Sequence, residues 1–194
     1  MIDRIEYCLN KKTSKLPDEV VNIHGMTSIR IRHFLNNLME MPNAKYLEVG
    51  VWQGATFMAA LYGNSPKHAY AVDDFSAGHK SDFLQNTSGV DYILFEGDAF
   101  DFKPKKKINI YLYDANKTEA DVYRALEHYY PFLEDEFIYM VDDYNYLNAQ
   151  AGTRRAIRDL GLDVRYFNHL GKREYNELHT GEWWLGFLIS VLRK

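Results

Sequence analysis

The sequence predicts an α/β protein: a Rossmann-like, doubly wound sheet of about seven strands, mostly parallel with a reversed last strand, and helices on both faces. Three observations predict it. Short apolar runs alternate with helical patterns from Tyr46 onward. Those runs are continuously apolar, as in strands covered on both faces. The chain closes on two strand-like runs joined by a polar turn region, the pattern of an antiparallel hairpin at a sheet edge.

Residues 1–24 show weak periodicity and read as a lid or irregular arm ending in the loop from Asn22 to Thr27. Ser28 is a good N-cap, and Ile31, Phe34, Leu35 and Leu38 then follow at amphipathic helical spacing. Pro42 and Asn43 stop that helix. The strand runs are Tyr46 to Val49, Ala69 to Val72, Tyr92 to Phe95, Ile108 to Tyr113 and Phe137 to Val141. Helices are expected at Ala55 to Tyr62, Gly78 to Asn86, Glu119 to Tyr130 and Ala149 to Leu160. In the third, Val122, Ala125, Leu126 and Tyr129 make an apolar stripe behind a Thr118–Asp121 capping box. Val164 to Phe167 and Trp183 to Leu192 form the closing hairpin. The run Lys103 to Lys107 reads as a solvated connection. One domain is expected over 1–194, with residues 1–43 as arm and helix and 44–194 as the core.

Composition narrows the class. The chain has 194 residues, 46% hydrophobic and 26% charged, enough for a packed core without metal or disulfide staples. A net charge of -4 disfavours nucleic acid as a partner. The one cysteine, Cys8, cannot form an internal disulfide and suits the cytoplasm. No apolar run approaches the roughly 18 residues that span a membrane.

In a doubly wound sheet, ligands sit beyond the carboxyl ends of the strands, so the strand-end residues carry the chemistry. The first strand ends in Glu48, Val49, Gly50, Val51, Trp52, Gln53, Gly54, an Glu-x-Gly-x-x-x-Gly pattern before a helix. Glycine lets the chain turn tightly and a ligand approach the backbone, and amides at the helix start would face its polar end. The plainer reading is a strand-to-helix turn of any α/β protein. The second strand ends in Asp73 and Asp74, about 20 residues beyond the glycines, where a carboxylate can accept both hydroxyls of a ribose. The third ends in Glu96, Gly97, Asp98, Ala99. Asp98 could accept from an adenine amine beside the Ala99 backbone, or simply form an Asx turn.

These motifs resemble the class I S-adenosylmethionine-dependent methyltransferases, in particular the small-molecule, metal-dependent sugar and catechol O-methyltransferases. The resemblance runs from about Tyr46 to the C-terminus. It implies S-adenosylmethionine as cofactor, with Glu48, Gly50, Gln53 and Gly54 in its loop, Asp73 at the ribose, and Asp98 and Ala99 at the adenine. It also implies a divalent ion, Mg²⁺ with Mn²⁺ or Ca²⁺ as alternatives, on Asp114, Asp142 and Asp143. Such an ion would hold a diol and lower the pKa of the attacking oxygen. The alternative is that Asp142 and Asp143 are solvated loop carboxylates, or that Asp114 meets the cofactor. One departure stands out: Asn116 occupies a position that is acidic in the sugar enzymes, so the base would be Lys117, a histidine or the metal alone.

The expected partner is a small acceptor, with neither nucleic acid nor membrane involved and a homo-oligomer among the allowed states. His24 and His179 lie in loops that could reach the site, whereas His33, His68, His79, His128 and His169 read as surface or capping residues. Trp183 and Trp184 either stack on an aromatic acceptor or pack in the core, and Gly25 and Met26 are placed to close over a cofactor. Two other classes compete. An NAD-dependent oxidoreductase lacks its Gly-x-Gly-x-x-Gly fingerprint here, and the Tyr113 to Lys117 pair falls at a strand end. A non-catalytic adenosylmethionine-binding module is compatible with Asn116. Gly50→Val is expected to abolish cofactor binding and spare the fold.

Overall fold

The computed structural model describes residues 1–172 and 182–194. Among the described residues, seven strands make one sheet: β1 (Lys45–Val49), β2 (His68–Asp73), β3 (Ile93–Glu96), β4 (Ile108–Tyr113), β5 (Leu133–Asp142), β6 (Asp163–Leu170) and β7 (Phe187–Arg193). Their spatial order is β3-β2-β1-β4-β5-β7-β6. The first five run parallel, and β7 is antiparallel to both β5 and β6. The reversed last strand expected from the sequence is therefore β7, inserted between β5 and β6.

The continuously apolar strands are explained by two separate cores. Tyr46, Ala69, Ala71, Ile110, Leu112, Ile138 and Met140 face one layer, and Leu47, Tyr70, Val72, Tyr111, Tyr139 and Val141 face the other. Strands β1, β2, β4 and β7 alternate between two buried faces, which favours apolar residues on both. The edge strands β3 and β6 are largely exposed, against the expectation of two covered faces for the third run. The first layer holds α1 (Ile2–Asn10), α3 (Ile29–Leu38), α4 (Ala55–Leu61) and α5 (Lys80–Asn86). The short α2 (Asp18–Val21) packs Val20 with Met58 and Ala59 of α4. The second layer holds α6 (Glu119–Tyr129) and α7 (Leu147–Asp159).

Both expected caps form: Ser28 Oγ accepts from Ile31 N–H at 3.1 Å, and Thr118 Oγ1 accepts from Asp121 N–H at 3.1 Å. All four apolar residues of each predicted stripe, on α3 and α6, are fully buried. The N-terminal arm, by contrast, is mostly helical. α1 buries only Ile5 and Cys8, one turn apart, so its charged remainder hid the period. Burial pushes the Cys8 thiol up to about 11, which keeps it protonated and inert. Trp183 to Gly186, expected in the last strand, precede it as a loop whose Leu185 and Gly186 take positive φ. Among the described residues no helix is long and apolar enough to cross a membrane.

Candidate functional site

The chain visits β1, β2 and β3 in one direction across the sheet, then returns to β4 and β5 on the other side of β1. The crevice between the β1 and β4 tips is where such a sheet receives ligands. Hydrogen bonding continues past the strands there: Gly50 N–H donates to Val72 C=O at 2.9 Å, and Asp114 N–H donates to Val49 C=O at 2.8 Å. Gly50 has φ +89°, and a Cβ on it would lie 2.2 Å from the Asp114 carbonyl oxygen. Glycine is required at this position by the neighbouring backbone before any ligand arrives.

Asp73 ties two loops together. Its Oδ2 accepts from Trp52 N–H at 2.8 Å and its Oδ1 from Phe75 N–H at 2.7 Å, while Gly97 N–H reaches the Asp73 carbonyl at 3.0 Å. Trp52 and Phe75 are held at φ 43° and 49°, backbone conformations that cost energy in non-glycine residues. Asp74, exposed beside it, caps Ser76 N–H, and that bond holds its carboxyl below the usual range. Asp98 forms the Asx turn, accepting from Phe100 N–H at 2.9 Å, and Tyr129 hydroxyl donates to the Ala99 carbonyl at 2.6 Å. The Arg124 guanidinium stacks 3.9 Å from the Phe100 ring centroid.

A cavity of about 960 Å³ opens over these tips. Gly50, Gln53, Asp73, Asp98, Ala99, Asp114, Asp142 and Asp143 all line it, with Asp74 and Asn116. Gly25 and Met26 form part of its wall. Gly54 lies behind the lining at φ +85°, starting α4. Glu48 is also behind it. Its carboxyl is fully enclosed and receives the hydroxyls of Tyr46 and Thr56, and burial pushes its pKa up to about 8. Glu48, expected in the cofactor loop, thus sits beneath that loop with its carboxyl held by two hydroxyls.

Lys117, expected as a base, is placed among the acidic side chains. Its ammonium donates to Asp114 Oδ1 at 2.9 Å and to the Ala115 carbonyl at 2.8 Å, and lies 4.0 Å from Asp143 Oδ2. Burial alone would lower its pKa, but Asp114, Asp142 and Asp143 outweigh burial and raise it. An ammonium has no lone pair to offer until it loses its proton. Asp142 is 5% exposed, and its Oδ1 has no hydrogen-bond partner among the described residues. Burial and then Asp114 push its carboxyl well above the usual range.

The donor chemistry of three carboxylates suits Mg²⁺, but the arrangement does not. Among the described residues, no group of three His, Cys, Asp or Glu is placed to hold a metal ion. The ammonium of Lys117 stands among the expected ligands instead.

Several lining residues escaped the sequence reading. Asp121 and Arg124 sit one helical turn apart on α6 and turn toward the cavity, a polar i, i+3 pair beside the apolar stripe. Tyr146 and Leu185 join them from the β5 and β7 loops. Of the tryptophans, Trp184 lines the cavity, whereas Trp183 is buried against Phe34 and Phe187. His79, read as a surface or capping residue, stands at the N-cap of α5 and belongs to a chain across the β1 loop. Its Nδ1 is 2.9 Å from Gln53 Nε2, whose Oε1 meets His24 Nδ1 at 3.0 Å. The two imidazoles flank the Trp52 ring at 5.2 and 5.5 Å. His179 lies outside the described residues.

Comparison with known proteins is informative at the level of structure. Neither family models nor curated proteins match by sequence. The O-methyltransferase of Bacillus cereus, solved with S-adenosylhomocysteine, aligns over 98% of this chain and 91% of its own at 14% identity and TM-score 0.64. TrmN of Thermus thermophilus aligns over 90% and 51% at 15% identity and TM-score 0.61. A candidate RNA methyltransferase of Pyrococcus horikoshii aligns over 100% and 97% at 16% identity and TM-score 0.56. This chain spans about half the length of TrmN and of other matched structures. At these identities the likeness concerns architecture: the chain has the Rossmann-like fold of the class I methyltransferases.

Proposed function

We propose that this chain is a methyltransferase that takes its methyl group from S-adenosylmethionine and passes it to a small hydroxylated acceptor. The observation that carries the reading is one cavity lined by Gly50, Asp73 and Asp98, at the tips of three adjacent strands. Asp73 accepts one backbone N–H on each oxygen and keeps a second lone pair on each for ribose hydroxyls. The adenosylhomocysteine bound to the Bacillus cereus protein supports the choice of cofactor.

The acceptor belongs at the β4 and β5 tips, where Asp114, Asp142 and Asp143 line the cavity. Methyl transfer needs an oxygen, a carbon and a sulfur in line, so holding the acceptor in place supplies much of the rate. No step is assigned to a metal. Charge argues for a neutral or cationic small molecule over RNA. Among the described residues the lining carries seven aspartates against one arginine, Arg124, a poor surface for phosphates. The cytoplasm remains the proposed compartment.

Calorimetry with adenosylhomocysteine, followed by labelled adenosylmethionine offered to sugars, catechols and other diols, tests the proposal. Absence of binding by folded protein would sink it. One observation favours a second reading, a binding module without turnover: neither Asn116 nor the protonated Lys117 can act as a base. Tight binding with no methyl transfer to any acceptor would select that reading.

A further inference from the structure

Lys117 stands on the turn between β4 and α6, its side chain only 14% exposed, and its ammonium is fixed by two short hydrogen bonds. Around it are the carboxylates of Asp114 and Asp143, and the buried Asp142 Oδ1 has no hydrogen-bond partner among the described residues. We propose that Lys117 is the resident cation of this mouth: its ammonium takes the place a divalent ion would need among Asp114, Asp142 and Asp143, so the acceptor end of the cavity works without bound metal.

A hard divalent ion binds carboxylate oxygens at about 2.0 to 2.6 Å. At that distance from Asp114 it would adjoin an ammonium that already lies 2.9 Å from the same carboxylate. Like charges that close repel strongly in a buried setting, and one oxygen of the ligand set is already engaged. Lys117 is not itself part of the cavity lining, so it acts as a positioning residue. It holds Asp114 in place and offsets the negative charge of Asp142 and Asp143 at the acceptor end of the cavity. This deepens the proposed function and rests on it for the identity of the acceptor.

The test uses the full chain and Mn²⁺ as the probe, counted by electron paramagnetic resonance, with adenosylhomocysteine calorimetry run in parallel. The wild type is expected to bind no Mn²⁺ at millimolar metal and to be indifferent to chelators. Lys117→Met and Lys117→Gln, checked for folding by circular dichroism, are expected to gain one Mn²⁺ per chain. Lys117→Arg, which keeps a cation, should exclude it again. A wild type that binds one Mn²⁺, lost in Asp114→Asn, overturns the inference. Variants that fold but take up no Mn²⁺ overturn it as well, because Lys117 would then not be what keeps the ion out. If no variant folds, the wild-type arm decides alone. Failure of adenosylhomocysteine to bind would refute the methyltransferase reading separately, whatever Mn²⁺ does.

Discussion

The Cβ that Gly50 lacks would lie 2.2 Å from the carbonyl oxygen of Asp114, so the tip of β1 and the tip of β4 touch through a residue that has no side chain. The contact partner is backbone and cannot rotate away. The sequence alone suggested that Gly50→Val would spare the fold; the close approach reverses that expectation. Gly50→Ala already combines a backbone clash with a φ of +89°, which together cost about 2 to 5 kcal/mol. Urea unfolding should show a lower midpoint for Gly50→Ala and a largely unfolded Gly50→Val. Wild-type stability in the alanine variant would mean that the two tips do not meet.

Asp73 and its neighbour Asp74 make an internal control. Asp73 accepts from Trp52 and Phe75 and so shapes the β1 and β2 loops, whereas Asp74 is exposed and caps only Ser76. In Asp73→Asn, one of the two backbone N–H groups faces an amide donor and loses its partner, at about 1 to 3 kcal/mol. Adenosylhomocysteine affinity should fall about tenfold or more in Asp73→Asn and change by less than about threefold in Asp74→Asn. Equal losses in the two variants would refute the assignment.

Glu48 makes stability depend on pH in a way that shows its protonation. Its folded pKa, pushed up to about 8 by burial, exceeds its unfolded value. The folded state therefore binds more protons, and the contribution of Glu48 falls as pH rises from about 4.5 to about 8. Above that window the contribution is flat. Glu48→Gln imitates the protonated acid, and the hydroxyls of Tyr46 and Thr56 can each turn to donate or accept. Thermal unfolding of the variant should lose this slope and exceed the wild type in stability near pH 8, by an amount of order a few kcal/mol. Parallel pH profiles for the two proteins would show that Glu48 is ionised in the fold.

What could be read in advance follows the range of the forces involved. The stripes on α3 and α6, the caps at Ser28 and Thr118 and the runs of β1, β2 and β4 are local patterns, and each appears in the structure. The strand-tip aspartates were legible because topology alone sends Asp73, Asp98, Asp114 and Asp142 to one edge of the sheet. Their partners were not. Whether Asp114 meets a metal or the ammonium of Lys117 depends on where one flexible side chain turns, and whether Glu48 faces the cavity depends on Thr56, eight residues away on the next helix. The His24–Gln53–His79 chain joins three loops and has no period to reveal it. α1 was missed for the opposite reason: its pattern is local but rests on two buried residues.

Asp142 should show opposite effects on stability and on turnover when it is neutralised. Burial and then Asp114 raise its folded pKa above the unfolded value, so its contribution to stability is greatest in acid and declines as pH rises toward that folded value. Asp142→Asn cannot ionise. Its melting temperature should therefore match the wild type in acid and exceed it at neutral pH. The same change alters a side chain that lines the cavity at the β5 tip, in the wall proposed to hold the acceptor. Turnover with a working acceptor should drop by up to about 10²-fold, the cost of a misplaced acceptor, while adenosylhomocysteine affinity holds. A purely structural Asp142 would give the gain in stability without the loss in turnover, and that outcome would move the acceptor away from the β5 tip.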